Sequence, residues 1–260
     1  MAPELPPATA EAVWPWGDDP GGCRLVASRF GPEPEAEASP GIAVPPDLAR
    51  AVPWRVAEYL AGRRCAQEAV RLLTGRRQAP GRGPDRAPLW PAGVVGSITH
   101  CGALALALAG PAEDFAGLGV DVERLLDADA ARTVAPLVMT GDERRRWGGA
   151  TDPGLEPFVV TLAFCAKESL FKALYPLVRR RFFFEAAELA GWDARGGAQL
   201  RLRADLGGGW GAGRVVEVRH CLFRGHLLTR AILPEGEAPE ENPPQGGGTL
   251  LIKRVSRNSI

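Results

Sequence analysis

Residues 158–178, FVVTLAFCAKESLFKALYPLV, limit the possible folds more than any other stretch of the chain. Ala163, Ala166, Leu170, Ala173, Leu174 and Leu177 recur at helical spacing, which predicts a long helix with one apolar face to bury. AQLRLRA, RVVEVRH and LFRGHLLTRAIL follow, reading as strands between Gly-rich turns. The first half repeats this layout. Val56, Tyr59, Leu60, Ala66, Val70 and Leu73 predict a helix ending before Gly75. CRLVASRF (23–30), VVGSITH (94–100), ALALALAG (103–110) and GLGVDVE (117–123) read as strands. Helices set beside antiparallel meanders, not alternating with single strands, give an α+β class. In TGDERRRW, Thr140 with Glu143 three residues on forms a capping box.

The expected organisation is an irregular arm over residues 1–22, an N-terminal half over 23–116, a C-terminal half over 117–234 and a tail over 235–260. The tail begins EGEAPEENPPQGGG, a composition that predicts disorder. Residues 31–46 and 75–93 read as loops.

Composition excludes several classes of function. Of 260 residues, 31 are Lys or Arg and 31 are Asp or Glu, so there is no basic excess for binding nucleic acid. No run of about 18 apolar residues predicts a membrane-spanning helix. The start, MAPELPPATAEAVW, lacks the basic and apolar regions of a secretory signal. The 5 cysteines are scattered, as expected for reduced thiols in the cytoplasm and not for a disulfide frame or a zinc site. Neither a GxxxxGK[ST] loop nor a GxSxG elbow is present.

Four groups of residues carry chemistry. Asp121 and Glu123 stand two apart on a strand and share a face, with Val120 and Val122 opposite. Paired carboxylates repel unless a cation holds them, and hard oxygen ligands suit Mg²⁺. Glu168 and Lys172 are four apart on the long helix, each two residues from Leu170, and so point away from the core. Taken alone, each pair is better accounted for by the plainer reading, a polar strand face for the first and an ordinary helix salt bridge for the second. Arg63 falls where its helix wants an apolar residue and therefore needs an anion or a hydrogen-bonded partner. Arg55 lies eight residues earlier, about 12 Å along the axis. Arg82 and Arg86 follow in the loop, and the guanidinium fork suits phosphate. Ser97, Thr99 and His100 close a strand before a turn. His220 and His226 read as structural or exposed.

Taken together, R-x-x-E-Y-x-x-G-R-R-C-A (Arg55 to Ala66), W-P-x-G-x-x-G-S-I-T-H (Trp90 to His100), G-V-D-V-E (Gly119 to Glu123) and F-C-A-K-E-S-L-F-K-A (Phe164 to Ala173) resemble the 4′-phosphopantetheinyl transferases. The likeness is to the branch with the enterobactin-synthase component D, Sfp-type and actinobacterial enzymes, and it spans residues 50–185. It implies two similar α/β halves forming a pseudo-dimer with the active site in the cleft between them, so that a monomer suffices. It implies a holo-[acyl-carrier-protein] synthase activity: Mg²⁺-dependent transfer of phosphopantetheine from coenzyme A to a serine of an apo acyl or peptidyl carrier protein, releasing 3′,5′-ADP. Carriers of fatty-acid, polyketide, nonribosomal-peptide and siderophore synthesis all fit.

The resemblance also implies roles for individual residues. Asp121, Glu123 and Glu168 hold Mg²⁺, with Mn²⁺ as the alternative ion. Glu168 is the base, directly or through water. Lys172 meets the phosphates and the leaving group, and Lys167 is the first lysine of the motif. Thr99 and His100 take the 3′-phosphate, and Arg55 and Arg63 the nucleotide. Arg82, Gly83, Pro84 and Asp85 form the coenzyme A loop. Cys165 stands where many members have Ser and is expected to pack. Arg144–Arg146 and Arg179–Arg181, beside Trp147 and Phe182, suit an acidic carrier helix. The competing readings are another Mg²⁺-dependent phosphotransferase or nuclease, and a non-catalytic binder of coenzyme A.

Overall fold

In the computed structural model two long helices each cover one antiparallel sheet. Residues 10–18, 21–34, 41–147 and 155–236 are described. The first sheet holds β1 (Glu11–Val13), β2 (Arg24–Arg29), β5 (Val94–Cys101) and β6 (Leu104–Pro111), in the order β1-β2-β6-β5. The second holds β7 (Phe115–Arg124), β8 (Ala187–Trp192), β9 (Gly197–Leu202), β10 (Val215–Phe223) and β11 (His226–Pro234), in the order β7-β11-β10-β9-β8. Between β2 and β5 lie α1 (Pro53–Thr74) and a small hairpin of β3 (Gly81–Arg82) and β4 (Pro88–Leu89). The segment between β7 and β8 carries α2 (Ala128–Val138), α3 (Gly141–Trp147) and α4 (Leu155–Val178). The α+β class is the one observed.

The layering follows from side-chain size. In β6 the alanines 105, 107 and 109 face α1 and meet Ala57, Ala61, Cys65 and Ala69, so helix and sheet approach closely. The intervening Leu104, Leu106 and Leu108 face the other way and pack on Leu118, Val120 and Val122 of β7. The order is therefore α1, first sheet, second sheet, α4, with Leu162, Leu170 and Leu174 of α4 packed on Leu200, Val218 and Leu227 of the second sheet.

Helix ends obey local chemistry. Pro53 opens α1, where its missing N–H costs nothing. Gly75 closes it at φ 74°, donating to Arg71 O. The predicted capping box is present: Thr140 N donates to Glu143 Oε2 at 2.7 Å and Glu143 N to Thr140 Oγ1 at 3.2 Å.

Several boundaries differ from expectation. Residues 11–13, expected to be irregular, pair with β2 as an edge strand. The stretch LFRGHLLTRAIL is not one strand: Arg224 and Gly225 turn at φ 51° and 79°, the left-handed pair that a tight hairpin demands. Also unanticipated are α2 with its Asp127 cap, β8, and the short β3–β4 hairpin inside residues 75–93, expected to be loop. Residues 1–9, 19–20 and 237–260, which fall in the expected arm and tail, lie outside the described residues.

Candidate active site

Gly117, Gly119, Asp121 and Glu123 alternate along one face of β7, the face turned to α4. A Cβ on Gly119 would stand 1.8 Å from Ser169 O, and one on Gly117 2.4 Å from Ala173 O. The glycines thus let the α4 backbone lie directly on the strand. That closeness brings Lys172 Nζ to 2.5 Å from Asp121 Oδ1 and 3.1 Å from Val120 O. Lys172 is therefore turned onto β7, against the expectation that it points away from the core, because Asp121, two residues beyond Gly119, supplies it a carboxylate and Val120 a carbonyl. Ser169 adds a second tie, with Oγ 2.7 Å from Thr229 Oγ1 of β11.

The first sheet contributes from its end strand, β5. Ser97, Thr99 and Cys101 all point at β7. Ser97 Oγ accepts from Val120 N at 3.1 Å, Thr99 Oγ1 donates to Asp121 Oδ1 at 2.9 Å, and the Cys101 thiol donates to Glu123 Oε2 at 3.6 Å. Burial, helped by Glu123, pushes the Cys101 thiol up to about 11. Asp121 is 2% exposed, and its Oδ2 is buried without a partner. A buried anionic oxygen left without a donor is costly, and it is the kind of atom a bound cation satisfies.

Glu168, half-buried on α4, lines a cleft of about 230 Å³ with Phe171, Arg181, Phe182 and Phe184. Among the described residues no group of three or more His, Cys, Asp or Glu side chains is already placed to hold a metal ion. Asp121 instead shares its charge with Lys172.

A second group forms where α1 meets β5. His100 Nδ1 lies 2.5 Å from Glu58 Oε1, and Arg55 pairs with Glu58 Oε2. Burial alone would raise the Glu58 carboxyl, but His100 and Arg55 hold it below its usual range. Glu58, the acid of the R-x-x-E spacing, joins two expected site residues that sequence reasoning treated separately. Arg63 has found the hydrogen-bonded partner its position required: Nη1 donates to Pro80 O at 3.1 Å and Gly81 O at 2.8 Å, and the guanidinium lies over the Tyr59 ring.

In the β3–β4 hairpin Arg82 grips Asp47 with two bonds, 2.5 and 3.0 Å. Gly83 is buried, Pro84 is exposed at the tip, and Asp85 is tied to Tyr175 of α4 at 2.8 Å.

Other expected residues serve the frame. Lys167 is 3% exposed and bonds Val138 O and Glu143 Oε2, both at 2.8 Å. Glu143 Oε1 accepts from Leu189 N at 2.6 Å, so the capping-box acid also anchors β8. Cys165 is fully buried, as packing requires, and burial drives its thiol far up. His220 sits between Phe158 and Trp192, and His226 bonds Arg224 O. In the basic runs Arg146 is tied to Ala190 O and Arg180 to Asp205 O, while Arg181 lines the cleft.

Two family models match this chain. The 4′-phosphopantetheinyl transferase N-terminal domain covers residues 44–110, and the 4′-phosphopantetheinyl transferase superfamily covers residues 117–219. The chain belongs to the 4′-phosphopantetheinyl transferase superfamily. Both matched segments contribute to the Thr99–Asp121–Lys172 junction. Among curated relatives, enterobactin synthase component D of Salmonella typhi is 39% identical over 140 residues, 54% of this chain and 53% of that protein. The 4′-phosphopantetheinyl transferase Npt of Nocardia iowensis is 36% identical over 142 residues, 55% of this chain and 62% of that protein. The chain thus spans little more than half the length of the curated relatives it matches. A solved holo-[acyl-carrier-protein] synthase of Thermotoga maritima is 21% identical at a TM-score of 0.33, covering 46% of this chain and 63% of that one, a likeness too slight to decide anything.

Proposed function

We propose that this protein transfers the phosphopantetheine arm of coenzyme A to a serine of an acyl or peptidyl carrier protein and releases 3′,5′-ADP. The observation that carries the reading is the junction at Asp121, where a strand of each sheet and the helix α4 converge on one buried carboxylate. Phosphoryl transfer asks for alignment and charge neutralisation more than for covalent help, and this junction offers both signs of charge at a seam between two layers.

The serine oxygen bonds to the phosphorus that carries the arm, and the bond from that phosphorus to 3′,5′-ADP breaks. Glu168, beside the cleft, takes the serine proton. Lys172 meets the departing oxygen, and Asp121 orients Lys172. The apolar side of the cleft, Phe171, Phe182 and Phe184, suits the uncharged pantetheine arm. Asp121, Glu123 and Glu168 are the residues that would hold Mg²⁺, or Mn²⁺, and the partnerless Asp121 Oδ2 fits such an ion. When bound, the ion neutralises the pyrophosphate.

Arg55, His100 and Thr99 supply the nucleotide end, with Arg63 and the hairpin residues Arg82 to Asp85. Arg181 and Phe183, the latter 42% exposed, offer a carrier helix a basic and apolar rim. One chain provides both sides of the site, so a monomer suffices. The balanced charge gives nucleic acid no hold. No helix among the described residues is long and apolar enough to cross a membrane, and the five cysteines are free thiols, which suits work in the cytoplasm.

The test is incubation with coenzyme A, Mg²⁺ and a panel of apo carrier proteins from fatty-acid, polyketide, nonribosomal-peptide and siderophore systems, read by intact mass. The expected result is a carrier heavier by one phosphopantetheine group and an equal yield of 3′,5′-ADP. No mass gain on any carrier overturns the proposal.

A further inference from the structure

The β3–β4 hairpin is held at three points, each by a different part of the chain. Arg63 of α1 grips the carbonyls of Pro80 and Gly81 at its base. Arg82 pairs with Asp47 of the loop before α1. At the tip, the Tyr175 hydroxyl of α4 donates to Asp85 Oδ2 at 2.8 Å, across 90 positions of sequence.

The tip is stiff in itself. Gly83 N donates to Ala87 O at 2.8 Å, Arg86 N to Gly83 O at 2.9 Å and Ala87 N to Asp85 Oδ1 at 3.1 Å. Arg86 takes the left-handed conformation at φ 72°, where a non-glycine residue is held only by its surroundings. A Cβ on Gly83 would fall 2.7 Å from Asp85 Oδ1. Asp85 therefore uses one oxygen to shape the turn and the other to tether it, and the tyrosine bond helps keep its carboxyl below the usual range. The Tyr175 ring is backed by Phe171 at 5.3 Å, which restricts where its hydroxyl can go. Tyr175 follows Lys172 by three residues, about 4.5 Å along the helix axis. The tether thus sets the hairpin tip relative to the Lys172–Asp121 pair.

We propose that Tyr175 is a positioning residue that clamps the hairpin against α4 through Asp85, presetting the loop for coenzyme A without itself touching the reacting atoms. The inference rests on the function proposed above, and it adds a residue which that reading leaves idle. A preset loop spares the substrate the cost of ordering it, so losing the clamp weakens binding and leaves the chemical step alone.

The experiment uses the full chain and Tyr175→Phe, which removes one oxygen and keeps the ring. Two readouts are taken. The first is tryptic cleavage after Arg82 and Arg86, which requires no substrate. The second is steady-state transfer with coenzyme A and carrier varied separately. Tyr175→Phe is expected to speed cleavage in the hairpin with an unchanged Tm. It is expected to raise the KM for coenzyme A on the order of three- to tenfold, the worth of one hydrogen bond, while kcat and the carrier KM stay put. In an Asp85→Asn background the same change is expected to add less than about twofold, since coupled residues do not add. Unchanged cleavage overturns the clamp. Faster cleavage with an unchanged coenzyme A KM, or a full effect in the Asp85→Asn background, overturns its role toward coenzyme A. A wild-type protein that transfers nothing overturns the proposed function and that role together, and the cleavage result then judges the clamp alone.

Discussion

Thr99 Oγ1 donates to Asp121 Oδ1 at 2.9 Å, and this bond runs from the end strand of one sheet to the end strand of the other. The two strands belong to segments matched by two different family models. Asp121 is therefore both a seam between layers and the partner of Lys172, two duties that can be separated by substitution.

Asp121→Asn keeps the shape and one acceptor but removes the charge. Transfer should fall on the order of a hundredfold or more, as when an aligned electrostatic group is lost from a dry site. The fold should persist, because Val120 and Val122 still fill the core between the sheets. Quenched-flow transfer and a thermal melt check both. In the wild type, excess chelator should stop transfer and added Mg²⁺ or Mn²⁺ restore it. Full activity in chelator would remove the three carboxylates from metal binding.

His100→Ala and Arg63→Ala should part company. His100 is half-buried beside Glu58 and Arg55, so its loss should weaken coenzyme A about ten- to a hundredfold and dephospho-coenzyme A far less, given that a hydrogen bond to a charged group is worth roughly 1.5–3 kcal/mol. Arg63 supports the hairpin through two carbonyls. Its loss should weaken both ligands alike and lower Tm. Calorimetric titration with the two ligands distinguishes the cases.

Acid should act through Glu58. Its folded carboxyl is held below the ordinary 4.5, because His100 and Arg55 outweigh burial. The unfolded chain then takes up the proton at a higher pH than the folded one. The stability Glu58 contributes is whole above about pH 4.5 and drains away as pH falls through the lower folded value. Urea melts of wild type should lose midpoint steadily in that range, and Glu58→Gln should flatten the loss. Parallel slopes for the two proteins would show that Glu58 is not the group responsible.

Gly119→Ala asks for one methyl group where none fits. The new carbon would lie 1.8 Å from Ser169 O, a backbone atom, so α4 must lift from β7. Overpacking typically costs about 1–3 kcal/mol, and here the upper end is expected because the helix itself must move. Lys172 should then lose its reach to Asp121. The expected outcome is a lower Tm and, in whatever folds, a kcat reduced more than the KM for coenzyme A. Wild-type kcat would mean that the Lys172–Asp121 contact does not depend on this close approach.

Local chemistry was readable from the chain because it depends on near neighbours. The stripe from Ala163 to Leu174, the Thr140–Glu143 box, and the alternation that sets Val120 and Val122 opposite Asp121 all follow from spacing alone. The same spacing concealed others. Two strands split by Arg224–Gly225 look like one, because an arginine in the left-handed conformation leaves no mark in a hydropathy pattern. The glycines of GLGVDVE look like weak strand residues until a helix is laid on them.

What the tertiary structure decided is which partner each polar group takes. Composition and spacing determined that the chain is α+β and that Arg63 needs a partner, and resemblance to a known family identified its motifs. They could not say that this partner is a pair of loop carbonyls, that Lys172 turns onto Asp121, that Glu58 joins Arg55 to His100, or that Tyr175 ties down Asp85. Helical and strand periods report which way a side chain leaves its own backbone. A hydrogen bond or ion pair also depends on which other backbone arrives within about 3 Å, and here that is set by the alanines of β6 and the glycines of β7, which control how closely the layers stack.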